Sequence, residues 1–180
     1  MELFNEELMN PLFCLLEKTK GLIQMEEHHP EGDVLTHSLQ VLKWAFRESY
    51  DTDLILAAML HDVGKAVETK GHDKVMSDIL RPLVSPKTLW LVEQHMRIWY
   101  FLLGEMKKLS KVRELAESPW LPELISLARW DKLGRNPHIK HTEINRELIM
   151  ERLNKCIEKR FEINAVRAET KFDEGLNSYE

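Results

Sequence analysis

His61 and Asp62 stand side by side where the apolar run Leu54–Leu60 ends, and their side chains are the first in this chain that could do chemistry. A buried imidazole and carboxylate need partners for their polar atoms, and a divalent metal ion satisfies both at once. Three more histidines, His37, His72 and His95, fall beside helix termini or on inward helix faces. A second aspartate, Asp131, closes another apolar helical run. Mixed imidazole and carboxylate donors suit Mn, Fe, Co, Ni or Zn better than Mg, which prefers oxygen alone. Adjacent helical positions point about 100° apart. One member of the His61-Asp62 pair can therefore bind end-on while the other lies across the site, where a carboxylate can bridge a second ion. The competing reading of the pair is a solvated helix terminus.

The elements that must position these residues read as helices throughout. Residues 3–26 carry a helical apolar pattern with Pro11 at a kink or boundary, and residues 28–33 form a loop by their Pro and Gly. Asp33 caps a helix over about 34–49 that turns His37 inward with Val34, Val41 and Leu42 or Trp44. Asp51 or Thr52 caps the apolar helix that ends at His61-Asp62, and Gly64 suits the turn beyond it. Further helices are expected over 72–81, from Ser85-Pro86 to Leu103 with Gly104 closing it, over 105–117, and from Pro122 to Asp131. Thr142 opens a last long helix with Ile144, Leu148, Leu153 and Ile157 as its stripe, fraying from Ala165. No stretch alternates as a strand does, so the chain is read as all-α.

Composition sets the class. The 180 residues are expected to form one domain, with a motif-bearing core over about 28–135 and a C-terminal helix and tail over 142–180. A net charge of −5 gives no general pull toward nucleic acid, although Lys107, Lys108, Lys111, Arg113, Arg129, Lys132, Arg135 and Lys140 gather base in one third of the chain. Cys14 and Cys156 are too far apart for a knuckle or a disulfide framework, and no apolar run reaches membrane-spanning length. A cytoplasmic protein without a membrane or targeting segment is expected.

Four separated motifs resemble a known family. His37…His61-Asp62…Asp131 matches the defining pattern of the HD superfamily of metal-dependent phosphohydrolases, and Asp62-Val63-Gly64-Lys65 matches the run around its central doublet. The stretches His29–His37, Leu60–Lys65, Gly71-His72-Asp73-Lys74 and Glu93–Arg97 look like the HD region of bacterial CCA-adding tRNA nucleotidyltransferases. The likeness covers about residues 28–135. Nothing in these 180 residues resembles the nucleotidyltransferase domain of those enzymes, so hydrolysis rather than nucleotide addition is expected.

The resemblance implies an HD-type helical bundle whose metal site lies where helices converge. It implies His37, His61, Asp62 and Asp131 as ligands of one metal, with His72 and His95 as candidate ligands of a second. The implied cofactor is one or two divalent transition metal ions, and the implied substrate a small phosphoester, a nucleotide or cyclic nucleotide phosphate above all. A bound metal lowers the pKa of its water toward neutrality and so supplies hydroxide. Asp62, Lys65 and Arg97 are the expected catalytic residues, Lys65 and Arg97 (with Lys74) as cations for phosphate oxygens. His72 and His95 have a competing role as phosphate contacts or as general acid, and Glu68 and Asp73 are candidates to orient a ligand or water. His28 or His29 is expected at the mouth of the site and His138 and His141 on the surface; the five tryptophans are read as core packing, with walls for a nucleobase as the competing role of Trp99 and Trp130. Two other readings stay open: a dinuclear-iron HD oxygenase that uses both His72 and His95, and a non-catalytic HD module that binds RNA or regulates. RNA is a weakly supported partner, and the oligomeric state is open.

Overall fold

Short polar side chains start most of the helices. Asn5 accepts from the Leu8 N–H and begins α1 (Glu6–Glu17), and Asp33 accepts from the Thr36 N–H and begins α2 (Val34–Glu48). Asp51 caps α3 (Thr52–Leu60) through the Asp53 and Leu54 N–H groups, and a single 3₁₀ turn, Val63–Ala66, follows it. After α4 (His72–Leu80), Ser85 as cap and Pro86 as first residue open α5 (Pro86–Gln94). Then come α6 (Arg97–Leu102), α7 (Leu109–Ala116), α8 (Leu121–Leu133) and α9 (Arg146–Asn177). These elements belong to a computed structural model that describes residues 3–67, 72–140 and 143–177. The fold is all-α: among the described residues no strand forms, and one isolated bridge joins Ile23 to Asp33.

α3 is the axis. Every residue from Leu54 to Leu60 is buried, as a helix apolar on all sides must be. α2, α5 and α8 pack directly on it, and α1 and α9 reach it from outside. Burying its Leu, Ile and Met side chains contributes about 1.5–3 kcal/mol each before the entropy of ordering them. The site is built at the C-terminal end of this axis, where His61 and Asp62 follow Leu60.

Four sequence expectations meet a different backbone. The helix expected over residues 3–26 stops at Glu17. Gly21 adopts φ +75°, its N–H donates to the Asp33 carboxylate at 2.9 Å, and Ile23 lies exposed on the bridge to Asp33. The helix expected over 86–103 breaks after Gln94 and resumes as α6, because the His95 imidazole donates to the Val92 carbonyl at 2.6 Å. α7 starts at Leu109 rather than at residue 105. α9 starts behind Asn145, whose side chain accepts from the Leu148 N–H, and its buried stripe is Ile149, Leu153 and Cys156, with Leu148 exposed. It continues as helix through Ala165 to Asn177. Thr142 and His141 lie outside the described residues, as do Glu68 and the side chains of His72, Asp73 and Lys74.

Candidate metal centre

Three helices deliver the site. His37 comes from the inward face of α2, His61 and Asp62 from the end of α3, and Asp131 from the last turns of α8. His95 arrives at the break between α5 and α6. All five side chains are buried. His37 Nε2 lies 3.2 Å from His61 Nε2, 3.1 Å from Asp131 Oδ1 and 3.8 Å from Asp62 Oδ2. His61 Nε2 is 3.6 Å from the same Asp62 oxygen, while the other oxygen, Oδ1, is 3.6 Å from His95 Nε2. Asp62 therefore turns one oxygen to the His37–His61 pair and the other to His95.

The far side of each imidazole is already occupied. His61 Nδ1–H donates to Ala58 O at 2.9 Å and His95 Nδ1–H to Val92 O at 2.6 Å. His37 Nδ1–H lies between Glu31 Oε1 at 2.8 Å and Gly134 O at 3.1 Å. With their Nδ1 protons committed, neutral rings present Nε2 lone pairs to the common centre, as metal-ligating histidines do. Two such lone pairs facing at 3.2 Å repel unless a positive charge lies between them. The His95 Nε2 atom is buried with no hydrogen-bond partner. Metal bonds of about 2.1 Å at tetrahedral or octahedral angles set donor atoms about 3.0–3.4 Å apart. The shorter contacts match that spacing, and the longer ones exceed it by a few tenths. His37, His61 and Asp62 together can hold an ion, with donor atoms within 4.8 Å of one another. The donor set fits a divalent metal.

Electrostatics agree. Burial opposes charge on His37, yet the carboxylates of Asp131 and Glu31 push it up to about 9. Burial holds His61 neutral and lowers it to about 4. Burial likewise opposes ionisation of Asp62 and Asp131, but the neighbouring imidazoles, with Lys65 beside Asp62 and Arg135 beside Asp131, hold both carboxyls well below the usual range. Glu31, fully buried, accepts from His29 at 2.9 Å and from His37, and against its burial these bonds keep it at about 2.

The centre opens into a cavity of about 660 Å³. Asp62, His95 and Asp131 form its floor, His28 and His29 both line its mouth, and Trp99, Met96, Tyr100 and Leu103 form one wall. Lys65 lines it too, with its ammonium 2.7 Å from Asp62 Oδ2 and 2.6 Å from Gln24 Oε1. Arg97 does not. It is exposed and donates to Gln94 Oε1 at 3.2 Å. The guanidinium at the cavity is Arg135, 2.9 Å from Asp131 Oδ1 and 3.1 Å from His28 O, with Lys132 beside it. Trp130 is also outside, buried with its indole N–H on Glu48 at 2.7 Å. His138 is exposed. Reading the sequence for chemistry passed over Glu31, Gln24 and Arg135. Only Arg135 carried a usable signal, a cation four residues beyond Asp131 just past the helix end.

Comparison with known proteins places this chain in a family. The family model described as HD domain matches residues 34–136. The chain belongs to the HD domain family. The family is one of metal-dependent phosphohydrolases, and HD domains bind divalent metals. The matched span holds His37, His61, Asp62, His95 and Asp131, whereas Glu31 and the two mouth histidines precede it. Curated relatives include the Multifunctional CCA protein of Paraburkholderia phytofirmans, 33% identical over 70 residues, which cover 35% of this chain and 17% of that protein. That of Methylococcus capsulatus is 37% identical over 71 residues (36% and 17%), and that of Thioalkalivibrio sulfidiphilus 34% identical over 79 residues (40% and 19%). The match thus spans less than a fifth of the length of these relatives. No described helix is long and apolar enough to cross a membrane.

Proposed function

We propose that this chain hydrolyses a small phosphoester, a nucleotide or cyclic nucleotide phosphate above all, at a divalent transition metal ion held by His37, His61, Asp62 and Asp131. One observation carries the reading: the His37 and His61 Nε2 atoms face each other at 3.2 Å while both Nδ1 atoms donate elsewhere. When bound there, the ion supplies Lewis acidity and a water of lowered pKa. The chain's own residues do the rest. Glu31 and the Gly134 carbonyl orient His37. Asp62 and Lys65 face each other across 2.7 Å, and with Asp62 holding an ion the Lys65 ammonium would be placed for a phosphate oxygen. Arg135 and Lys132 supply further positive charge on the cavity wall, the place that Arg97 was expected to fill. The unpartnered His95 Nε2 supports either a role in holding a second ion or a contact with the phosphate.

The likeness to CCA proteins supports a nucleotide or an RNA end as the ester. α9 packs Ile149, Leu153 and Cys156 into the common core, which supports a single HD domain over residues 1–180. Two unpaired cysteines, Cys14 exposed and Cys156 buried, suit a reducing cytoplasm.

The test is metal content by mass spectrometry on untagged, chelator-free protein, wild type and Asp62→Ala, followed by a phosphoester panel. About one or two equivalents of transition metal, lost with hydrolysis in the variant, is the expected result. No metal in the wild type, and none taken up from Mn, Co or Ni, overturns the reading. Two irons without phosphoesterase activity would replace it with oxygen chemistry.

A further inference from the structure

Met96, Trp99, Tyr100 and Leu103 recur at i, i+3, i+4 and i+7, so they stand on one face of the α6 segment. All four line the cavity that holds Asp62 and His95. A helical apolar face ordinarily turns into a core. Here Met96 is 43% exposed, Tyr100 54% and Leu103 67%. The turn at His95 redirects this face, since the imidazole that reaches Asp62 also takes the Val92 carbonyl and ends α5. The same residue thus positions the chemistry and swings an aromatic wall over it. The remaining wall is built differently, from imidazoles and the cations Lys65, Lys132 and Arg135.

A ligand matched to both walls carries phosphate at one end and a flat, weakly polar ring at the other. Sugar phosphates and inorganic polyphosphates offer the α6 face nothing. A further side chain sharpens the choice. Gly104, at φ +71°, reverses the chain just past Leu103, and the Glu105 N–H donates to the Tyr100 carbonyl at 2.8 Å. That turn brings Glu105 into the cavity lining, and its carboxylate has no hydrogen-bond partner among the described residues. An acid in this place repels a second phosphate and accepts from an exocyclic amino group. Adenine, cytosine and guanine carry such a group, and uracil does not.

We propose that the α6 face and Glu105 form a base subsite that selects nucleoside monophosphates or cyclic phosphates bearing an amino-substituted base. The proposal rests on the phosphohydrolase reading of the adjoining centre. Its test compares cytidine with uridine, whose bases differ along one edge, an amino group beside a bare N3 in cytosine against a carbonyl beside an N3–H in uracil. kcat/KM is measured for their monophosphates and 2′,3′-cyclic phosphates, and for ribose 5-phosphate, on metal-loaded wild type, Tyr100→Ala and Glu105→Gln. The affinities of the non-hydrolysable methylenephosphonates of cytidine and uridine are measured in parallel by calorimetry.

Wild type is expected to favour cytidine over uridine about tenfold, and cytidine over ribose 5-phosphate about tenfold or more. Tyr100→Ala should lower the cytidine to ribose 5-phosphate ratio about tenfold, and Glu105→Gln should bring cytidine and uridine within about threefold. Both positions are exposed, and matching melting curves will show that the fold is kept. Equal use of the cytidine, uridine and ribose phosphates by wild type overturns the proposal, as do variants that change every substrate alike. If nothing is hydrolysed, the phosphohydrolase reading fails while the calorimetric order still decides this one. Equal affinities for the two phosphonates reject the base subsite.

Discussion

Gly134→Ala is the most direct test of how the helices bring the site together. Gly134 closes α8 with φ −77° and ψ 21°, a conformation open to any residue, so backbone freedom is not why glycine is needed. Space is. A Cβ built there would lie 2.5 Å from Val41 Cγ2, 3.1 Å from the Val41 backbone nitrogen and 3.3 Å from the Trp130 carbonyl oxygen. Carbon atoms settle at about 3.5–4.0 Å, so α8 must retreat from α2 by about an ångström. Val41 is fully buried and cannot swing away. Overpacking of this kind costs about 1–3 kcal/mol, which for a chain of this size lowers the melting temperature by about 2–12 °C. The same displacement pulls the Gly134 carbonyl off His37 Nδ1 and Asp131 off His37 Nε2, both now at 3.1 Å. Metal affinity should therefore fall about tenfold alongside stability. Adding Val41→Ala removes the nearest clashing atom. In a double-mutant cycle read by denaturant unfolding, the second alanine should recover at least about 1 kcal/mol relative to additivity. Strict additivity, or a Gly134→Ala protein that melts and binds metal as the wild type does, would refute the argument.

Two further outcomes follow from the same geometry. Glu31→Gln keeps the shape of the buried side chain but removes the charge that holds His37 and His29, so metal affinity should fall about 10- to 100-fold with the helical circular dichroism unchanged; affinity within twofold of wild type would remove Glu31 from the site. Without an ion, His37 is pushed up to about 9, above its unfolded value of about 6.5, so its contribution to stability is complete below about pH 6.5 and is lost as pH rises through about 9. Melting temperature in chelator should fall between about pH 7 and pH 10, and a rise over that interval would show that the sign is wrong.

Much of this arrangement was legible because it is local. Asp33, Asp51 and Ser85 are short acceptors just ahead of apolar periodicity, and each caps the helix it was expected to cap. The all-apolar run before His61 could only be a buried helix, and it is the axis of the fold. What escaped depends on contacts between distant atoms. Nothing near Gly21 says that its N–H belongs to a carboxylate twelve residues on. Nothing around His95, where neither Pro nor Gly occurs, says that its ring will take a carbonyl and divide a helix. Glu31 lies in a loop between Pro30 and Gly32, where no periodicity can mark a residue as buried. Arg97 and Arg135 are both near site residues in the chain, but Arg97 opens a new helix beyond the break at His95, whereas Arg135 lies just past the end of α8, where its guanidinium reaches back to Asp131. Where the helices end, more than nearness in sequence, decides which cation reaches the cavity. The helix period instead excludes Trp130, one residue from Asp131 and therefore about a quarter-turn away from the site.

Charge accounts for why the centre asks for both an ion and an anionic ligand. Glu31, Asp62 and Asp131 bring three buried carboxylates, while Lys65 and Arg135 bring two cations in direct contact with them. With neutral imidazoles the cluster is one negative charge out of balance, and a buried charge without a partner is expensive. The raised pKa of His37 is the protein's response, because a proton on that ring restores neutrality where His61, Asp62 and Asp131 converge. A divalent ion held by these residues would take the place of that proton and bring the cluster to one net positive charge. The aromatic residues that line the cavity cannot answer that charge. On the proposed reading a phosphate would, and Lys65 and Arg135 line the same cavity to receive it. The imbalance that draws in the ion therefore also selects the charge of what binds next to it, and sets which end of that ligand faces the metal.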